Sequence, residues 1–271
     1  MEPVMRRLIS FECEGNRLAG TLDDAAGSVG LLIVSGGNEI RIGAHRGMAQ
    51  LPQDLAGEGI PVFRFDRRGV GDSDGENGGF ETSGPDIAAA ISAFRSACPH
   101  LTRMVGFGNC DAASALLLHA PAGVDALVLS NIWILEPRED GSALPPPAEI
   151  RSRYREKLRN PREWLRLFTG AVDLRKLAKG VLATLRPPAP PSSLALRVAS
   201  GLRAFAGPVT ILLAARDGTA LAFAEAWDSA DYADLRGKPG VSVKRIDTAS
   251  HSFALAADYT QLKSEITAAT R

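Results

Sequence analysis

Arg103-Met-Val-Gly-Phe-Gly-Asn-Cys-Asp-Ala-Ala-Ser-Ala-Leu-Leu-Leu118 decides the fold. Its first half is a short apolar run of the kind that a sheet buries on both faces, and its second half is a run of strong helix formers. So abrupt a passage predicts a strand, a very short turn at Cys110, and a helix from there to Leu118. Gly108 stands two residues before the cysteine and Ala112 two after, which is the G-x-S-x-G nucleophile turn with cysteine for serine and alanine for the last glycine. Small residues are needed there because the turn brings backbone against both strand and helix. The turn also sets a sulfur at a helix N-terminus, where unpaired N–H groups and the dipole favour a thiolate. Cys110 is therefore the candidate nucleophile, while Cys13 and Cys98 read as small buried hydrophobes.

Working outward, short apolar runs alternate with helix-period segments. GLLIV ends at Val34, a helix follows over Arg46 to Gly57, then PVFRF, a helix over Asp86 to Ala97, the Cys110 unit, and ALVLS to Ser130. That rhythm specifies an α/β chain with a mostly parallel central sheet flanked by helices. It breaks after Trp133. Residues 136–203 hold proline clusters at 145–147 and 187–191 around an arginine-rich, helix-forming stretch, which reads as a helical lid inserted after strand 6. Alternation resumes with VTILLAA, a helix beginning near Leu221, VSVKRI, and a last helix from about Asp258. The expected division is a core of residues 1–135 and 204–271 and a lid of 136–203. That lid carries fourteen Lys and Arg against seven Asp and Glu. It reads either as a solvated helical face or as a surface that attracts an anionic acyl carrier or an acidic polymer.

The whole chain balances 31 basic against 31 acidic residues, so no net positive field collects phosphates and no nucleic-acid partner is expected. Three cysteines without metal-ligand spacing argue against a disulfide framework or a zinc site. No secretory signal is visible near Met1, and no apolar run approaches the roughly 20 residues of a membrane span. The expectation is a cytoplasmic protein. Gly69-Val-Gly71-Asp-Ser-Asp-Gly75 is a poor dinucleotide fingerprint, since polar loop residues rather than a helix follow it. Asp72, Asp74 and Glu76 do not complete a calcium loop. No cofactor and no metal are expected.

A thiolate nucleophile needs a base, and the base needs an orienter. Asp217 falls at the end of VTILLAA and His251 in the loop after VSVKRI, so both share the carboxyl edge of the sheet with Cys110. The order nucleophile, acid, histidine is that of elbow-type nucleophile sites. His251 is the expected base and Asp217 its partner, with Asp247 the rival acid and Glu225 a weaker one. His119 and His100 read as a helix-end cap and a loop residue; His45, ahead of a helix, is a possible substrate-site residue. The amide of Asp111 and the Gly36-Gly37-Asn38 turn supply the expected oxyanion donors, Asp111 with Gly37 or Asn38.

Asp66-Arg-Arg-Gly-Val-Gly-Asp-Ser73 resembles the D-x-R-G-x-G-x-S loop of the α/β-hydrolase superfamily. More narrowly, Gly43-Ala-His-Arg46, Phe65 to Ser73, Cys110-Asp-Ala-Ala-Ser-Ala115 and Asn131-Ile-Trp133 resemble the exosortase A system-associated hydrolase 1 group. The chain departs from that group's pattern at Asn109 and Ile132, which bears on substrate shape. Trp133 is a second possible substrate-site residue. The resemblance implies the α/β-hydrolase fold and a Cys110–His251–Asp217 triad cleaving an ester, thioester or lactone of a small or carrier-linked acyl substrate. Two alternatives stand beside it. One is an acyltransferase using the same thioacyl intermediate; the other is a catalytically silent binding protein on the same scaffold.

Overall fold

The computed structural model describes residues 5–119, 121–136 and 192–271. Its strands are β1 (Arg6–Cys13), β2 (Asn16–Asp23), β3 (Val29–Val34), β4 (Val62–Phe65), β5 (Arg103–Asn109), β6 (Ala126–Ser130), β7 (Val209–Ala214) and β8 (Val241–Ile246). They form one sheet in the order β1-β2-β4-β3-β5-β6-β7-β8. From β4 onward all neighbours pair parallel, whereas β1 and β2 are antiparallel to each other and β2 to β4. The α-helices described are α1 (Gly47–Gly57), α2 (Gly84–Ala97), α3 (Asp111–His119), α4 (Ser193–Ala204), α5 (Gly218–Trp227) and α6 (Ala256–Ala269).

Side-chain alternation along the strands divides the core in two. On β3, Leu32 and Val34 face one cluster with Phe63, Phe94, Leu116, Leu127 and Leu202. Leu31 and Ile33 face the other with Leu51, Leu55, Phe107, Leu212 and Ile266. Helices α2, α3 and α4 thus cover one face and α1 and α6 the other, and a strand buried on both sides reads as the unbroken apolar run GLLIV.

Three sequence expectations are refined. The hairpin of β1 and β2 lies ahead of the first predicted strand. Its signal is the two-residue turn Glu14-Gly15, both with positive φ (48° and 78°), which suits the right-handed twist of the paired strands. Helix α5 starts at Gly218, three residues earlier than expected, because the Asp217 carboxylate caps it by accepting the Ala220 amide at 3.0 Å. Helix α6 starts at Ala256 rather than Asp258.

Of the expected lid, residues 137–191 lie outside the described residues. Residues 193–203 fall in α4, which buries Leu194, Ala195, Val198, Ala199 and Leu202. The chain leaves and rejoins the core at one place: Ser192 donates its hydroxyl to the Ile134 carbonyl at 2.7 Å, and the Leu194 amide donates to Glu136 at 3.0 Å.

Candidate active site

The passage from β5 to α3 is as abrupt as the sequence implies. Cys110 holds a left-handed backbone (φ 62°), a conformation that costs an ordinary residue about 1–2 kcal/mol. Its neighbours hold it there. The Cys110 amide donates to the Ser130 carbonyl at 2.9 Å, and its own carbonyl accepts from Ala113 at 3.1 Å and Trp133 at 3.2 Å. A Cβ on Gly108 would sit 2.7 Å from the Ala112 carbonyl carbon, which is why this strand position needs glycine. Ala112 itself is fully buried yet tolerated.

Of the three cysteines, Cys110 is partly exposed, while Cys13 and Cys98 are buried. Burial, with Asp86 beside one and Asp24 beside the other, pushes those two thiols up to about 11. They are poor nucleophiles at neutral pH.

His251 arrives from the loop after β8 and meets both expected partners. Its Nδ1 lies 3.1 Å from Asp217 Oδ2, and Cys110 is the other group that acts on the ring. Asp217 first and Cys110 second stabilise the imidazolium, outweigh burial, and push His251 up to about 10. For Asp217, burial disfavours ionisation, but the bonds from His251 and from the Ala220 and Thr219 amides hold the carboxyl below its usual range. Asp247 is placed elsewhere: its side chain is 89% exposed and pairs with Arg216 at 3.4 Å. Glu225 lies in the last turn of α5.

The histidine loop has a support the sequence reading missed. The Thr248 hydroxyl donates to the buried Asp258 carboxylate at 2.5 Å and accepts the Ser250 amide at 3.0 Å. Asx and Ser/Thr pairings ten residues apart carry no periodic signal, so only tertiary structure exposes them.

Around the expected oxyanion donors the structure adds a carboxylate. The Gly37 amide donates to Asp111 Oδ1 at 2.6 Å, and a Cβ on Gly36 would stand 2.5 Å from that oxygen. The Gly37 carbonyl accepts from the buried Arg67 guanidinium. Asn38 is tied down by its side chain, which accepts from Asn77 at 2.8 Å. The Gly37 N–H is thus engaged by a carboxylate.

The other singled-out residues separate. Trp133 is fixed to the elbow through its amide on Cys110 and its carbonyl, which accepts from Ser114. His45 is exposed, in a turn where it and Arg46 both have positive φ (53° and 61°). His119 pairs with the Phe80 carbonyl at 3.2 Å, and His100 with the Ala25 carbonyl at 3.2 Å. Asp66, fully buried, accepts the Arg41 and Asp72 amides at 2.6 and 3.1 Å, so the Asp66–Ser73 loop is self-bracing. Asp72 and Asp74 pair with Arg41 and Arg17.

Solved structures share this architecture. An esterase of Pyrococcus furiosus, Pf2001, superposes with a TM-score of 0.64 at 17% identity, covering 98% of this chain and 89% of that one. Mouse alpha/beta hydrolase domain-containing protein 10 gives 0.57 at 18%, covering 97% of each. Est1E of Butyrivibrio proteoclasticus, solved with ferulic acid bound, gives 0.58 at 14%, covering 96% and 98%. The chain has the α/β-hydrolase fold. No protein-family model and no curated protein matches the sequence. In this fold the carboxyl edge of the sheet is where Cys110, Asp217 and His251 stand. No helix among the described residues is long and apolar enough to cross a membrane.

The His251–Asp217 pair makes stability depend on pH, with a sign that follows from the two shifts. His251 is raised, so its contribution is complete below its ordinary 6.5 and lost as pH climbs to about 10. Asp217 is lowered, so its contribution is complete above its ordinary 3.8 and lost as pH falls. The pair is strongest between those two values. Because the ring is more than a third exposed, its worth is about 1 kcal/mol. His251→Gln is expected to melt about 2–4 °C below the wild type at pH 5.5 and level with it at pH 10. A difference that stays constant across that range would contradict the assignment of the shift to this pair.

Proposed function

We propose that this chain is a cysteine-dependent hydrolase of an ester, thioester or lactone, working through a Cys110–His251–Asp217 triad. The observation that carries the reading is the His251 ring held 3.1 Å from Asp217, with Cys110 acting on it from a strained strand–helix turn where its sulfur is partly exposed. The esterase among its structural neighbours, and the neighbour solved with ferulic acid bound, support ester chemistry on this scaffold. The resemblance of the Cys110-Asp-Ala-Ala-Ser-Ala115 stretch to the exosortase-associated hydrolases supports cysteine in place of serine.

In this reading His251 rests protonated at neutral pH, and the attacking species is the Cys110 thiolate beside it. The Cys110 Sγ attacks the acyl carbonyl carbon, and the oxygen becomes an oxyanion facing the Asp111 and Asn38 amides. Collapse breaks the bond to the leaving group, which takes the His251 proton, and leaves a thioester on Cys110. The neutral ring then removes a proton from water, whose oxygen attacks the thioester. A second collapse releases the acid and returns the thiolate and the imidazolium. Asp217 holds the ring tautomer throughout. The acyl substrate is small or carrier-linked.

The test uses two mass measurements on the intact protein. Brief iodoacetamide treatment at pH 7 is expected to alkylate Cys110 at least tenfold faster than Cys13 or Cys98. Rapid quenching during turnover of p-nitrophenyl acetate is expected to leave one acetyl group on Cys110. Turnover without any acyl group on that sulfur would reject the mechanism.

A further inference from the structure

The three residues of the proposed triad come from three separate strand ends, and one fully buried side chain touches all three regions. Asn131 follows β6 and is 0% exposed. Its Oδ1 accepts the amide of Ala214, the last residue of β7 and three before Asp217, at 2.9 Å. Its Nδ2 donates to the His251 carbonyl at 2.9 Å and to Asn109 Oδ1, beside Cys110, at 3.2 Å. The two backbone partners have fixed polarity, one N–H and one C=O, so they fix which end of the amide is which. Asn109 Oδ1 also accepts the Ser130 hydroxyl at 2.9 Å, which orients it toward Asn131.

We propose that Asn131 is a positioning residue that sets the His251 ring against Cys110 by cross-linking the ends of β5 and β7 to the histidine loop. The inference rests on the triad reading and adds to it a residue that neither touches substrate nor belongs to the triad.

The residue type answers the geometry. Asn131 has φ 45°, a left-handed conformation that asparagine adopts more readily than other side-chain-bearing residues. Glycine would accept the backbone but provide no cross-link. Asp could accept from Ala214 but, ionised, could donate to neither His251 nor Asn109. Leu would fit neither the backbone nor the partners. Asparagine meets all the demands together.

The bonds are also placed where small errors matter. Displacing a catalytic group by about 1 Å can cost two orders of magnitude in rate. The His251 loop is held by Thr248 and Asp258 from the α6 side, and Asn131 holds it from the nucleophile side.

The test substitutes Asn131→Gly in the full chain and follows two readouts. The first is the titration of the His251 ring by NMR, assigned by its loss in His251→Gln. The second is kcat and KM on p-nitrophenyl acetate per folded molecule. The ring is expected to titrate at least one pH unit below the wild type, and kcat to fall about 30- to 100-fold with KM within threefold. Asn109→Ala, which severs the arm beside the nucleophile along with the Ser130 hydroxyl bond but keeps the Ala214 and His251 arms, is expected to move both in the same direction by a smaller amount and serves if Asn131→Gly does not fold. Variants that fold and show unchanged ring titration and unchanged kcat, with only a lower melting temperature, would overturn the proposal and leave Asn131 a structural residue. A ring shift in the variants alongside a wild type that hydrolyses no ester would sustain the positioning role and count against the hydrolase reading alone.

Discussion

Cys110→Ala is expected to lower kcat on p-nitrophenyl acetate by about 10⁴-fold or more while leaving the melting temperature within a few degrees of the wild type. The size follows from covalent catalysis: without the sulfur no thioester forms, and what survives is substrate binding and the oxyanion amides. The small stability change follows from local structure. The elbow is fixed by the Cys110 amide on Ser130 and by the Cys110 carbonyl on Ala113 and Trp133, and alanine retains all three. The left-handed φ of 62° is imposed by those bonds and by the close approach at Gly108, not by the sulfur.

Cys110→Ser is the sharper companion. A histidine held protonated well above neutrality is a poor base for a hydroxyl, so the serine variant is expected to recover no more than about a hundredth of the wild-type rate. Removing the sulfur also removes the second of the two groups that raise His251, so its activity should improve as pH rises. Kinetics from pH 6 to 10 check this. Cys110→Ala activity within tenfold of the wild type would refute sulfur as the nucleophile.

The three residues of the proposed triad stand out in the sequence because each lies at a strand end that composition marks. GFGNC, LLAARD and KRIDTASH each run from an apolar stretch into polar residues, and chain order then assigns their parts. The rest is invisible at that level because it is written in contacts between distant positions. Asn131 meets Ala214 across 83 residues and His251 across 120, and the Asn131-Ile-Trp133 stretch, though it carries part of the resemblance, says nothing of those partners. The Asp111 carboxylate on the Gly37 amide spans 74 residues. The first hairpin was legible in Glu14-Gly15 but obscured by the charged residues on the exposed face of β1. Where α5 begins depended on a side chain with two uses, since Asp217 both caps the helix and orients the ring.

That double use makes Asp217→Asn the most discriminating variant after the nucleophile itself, with kcat expected to fall about 10³- to 10⁴-fold. Asparagine caps helices as well as aspartate does, so the Ala220 amide keeps its partner and α5 is expected to stay in place. What changes is the ring. The amide carries no charge to hold the imidazolium, so His251 is expected to titrate well below its wild-type value of about 10, toward its ordinary 6.5. Its NH₂ group can also face Nδ1, which would leave the proton on the nitrogen that should receive one from the attacking water. Asp217→Ala removes the cap as well and is expected to cost about 1 kcal/mol of stability beyond the asparagine variant, at a similar loss of rate. Melting curves separate the two functions, and NMR titration of the ring reads the electrostatic one directly. If Asp217→Asn kept its rate within tenfold while Asp217→Ala lost both stability and rate, the carboxylate would be a helix cap alone, and the acid of the triad would have to be sought elsewhere.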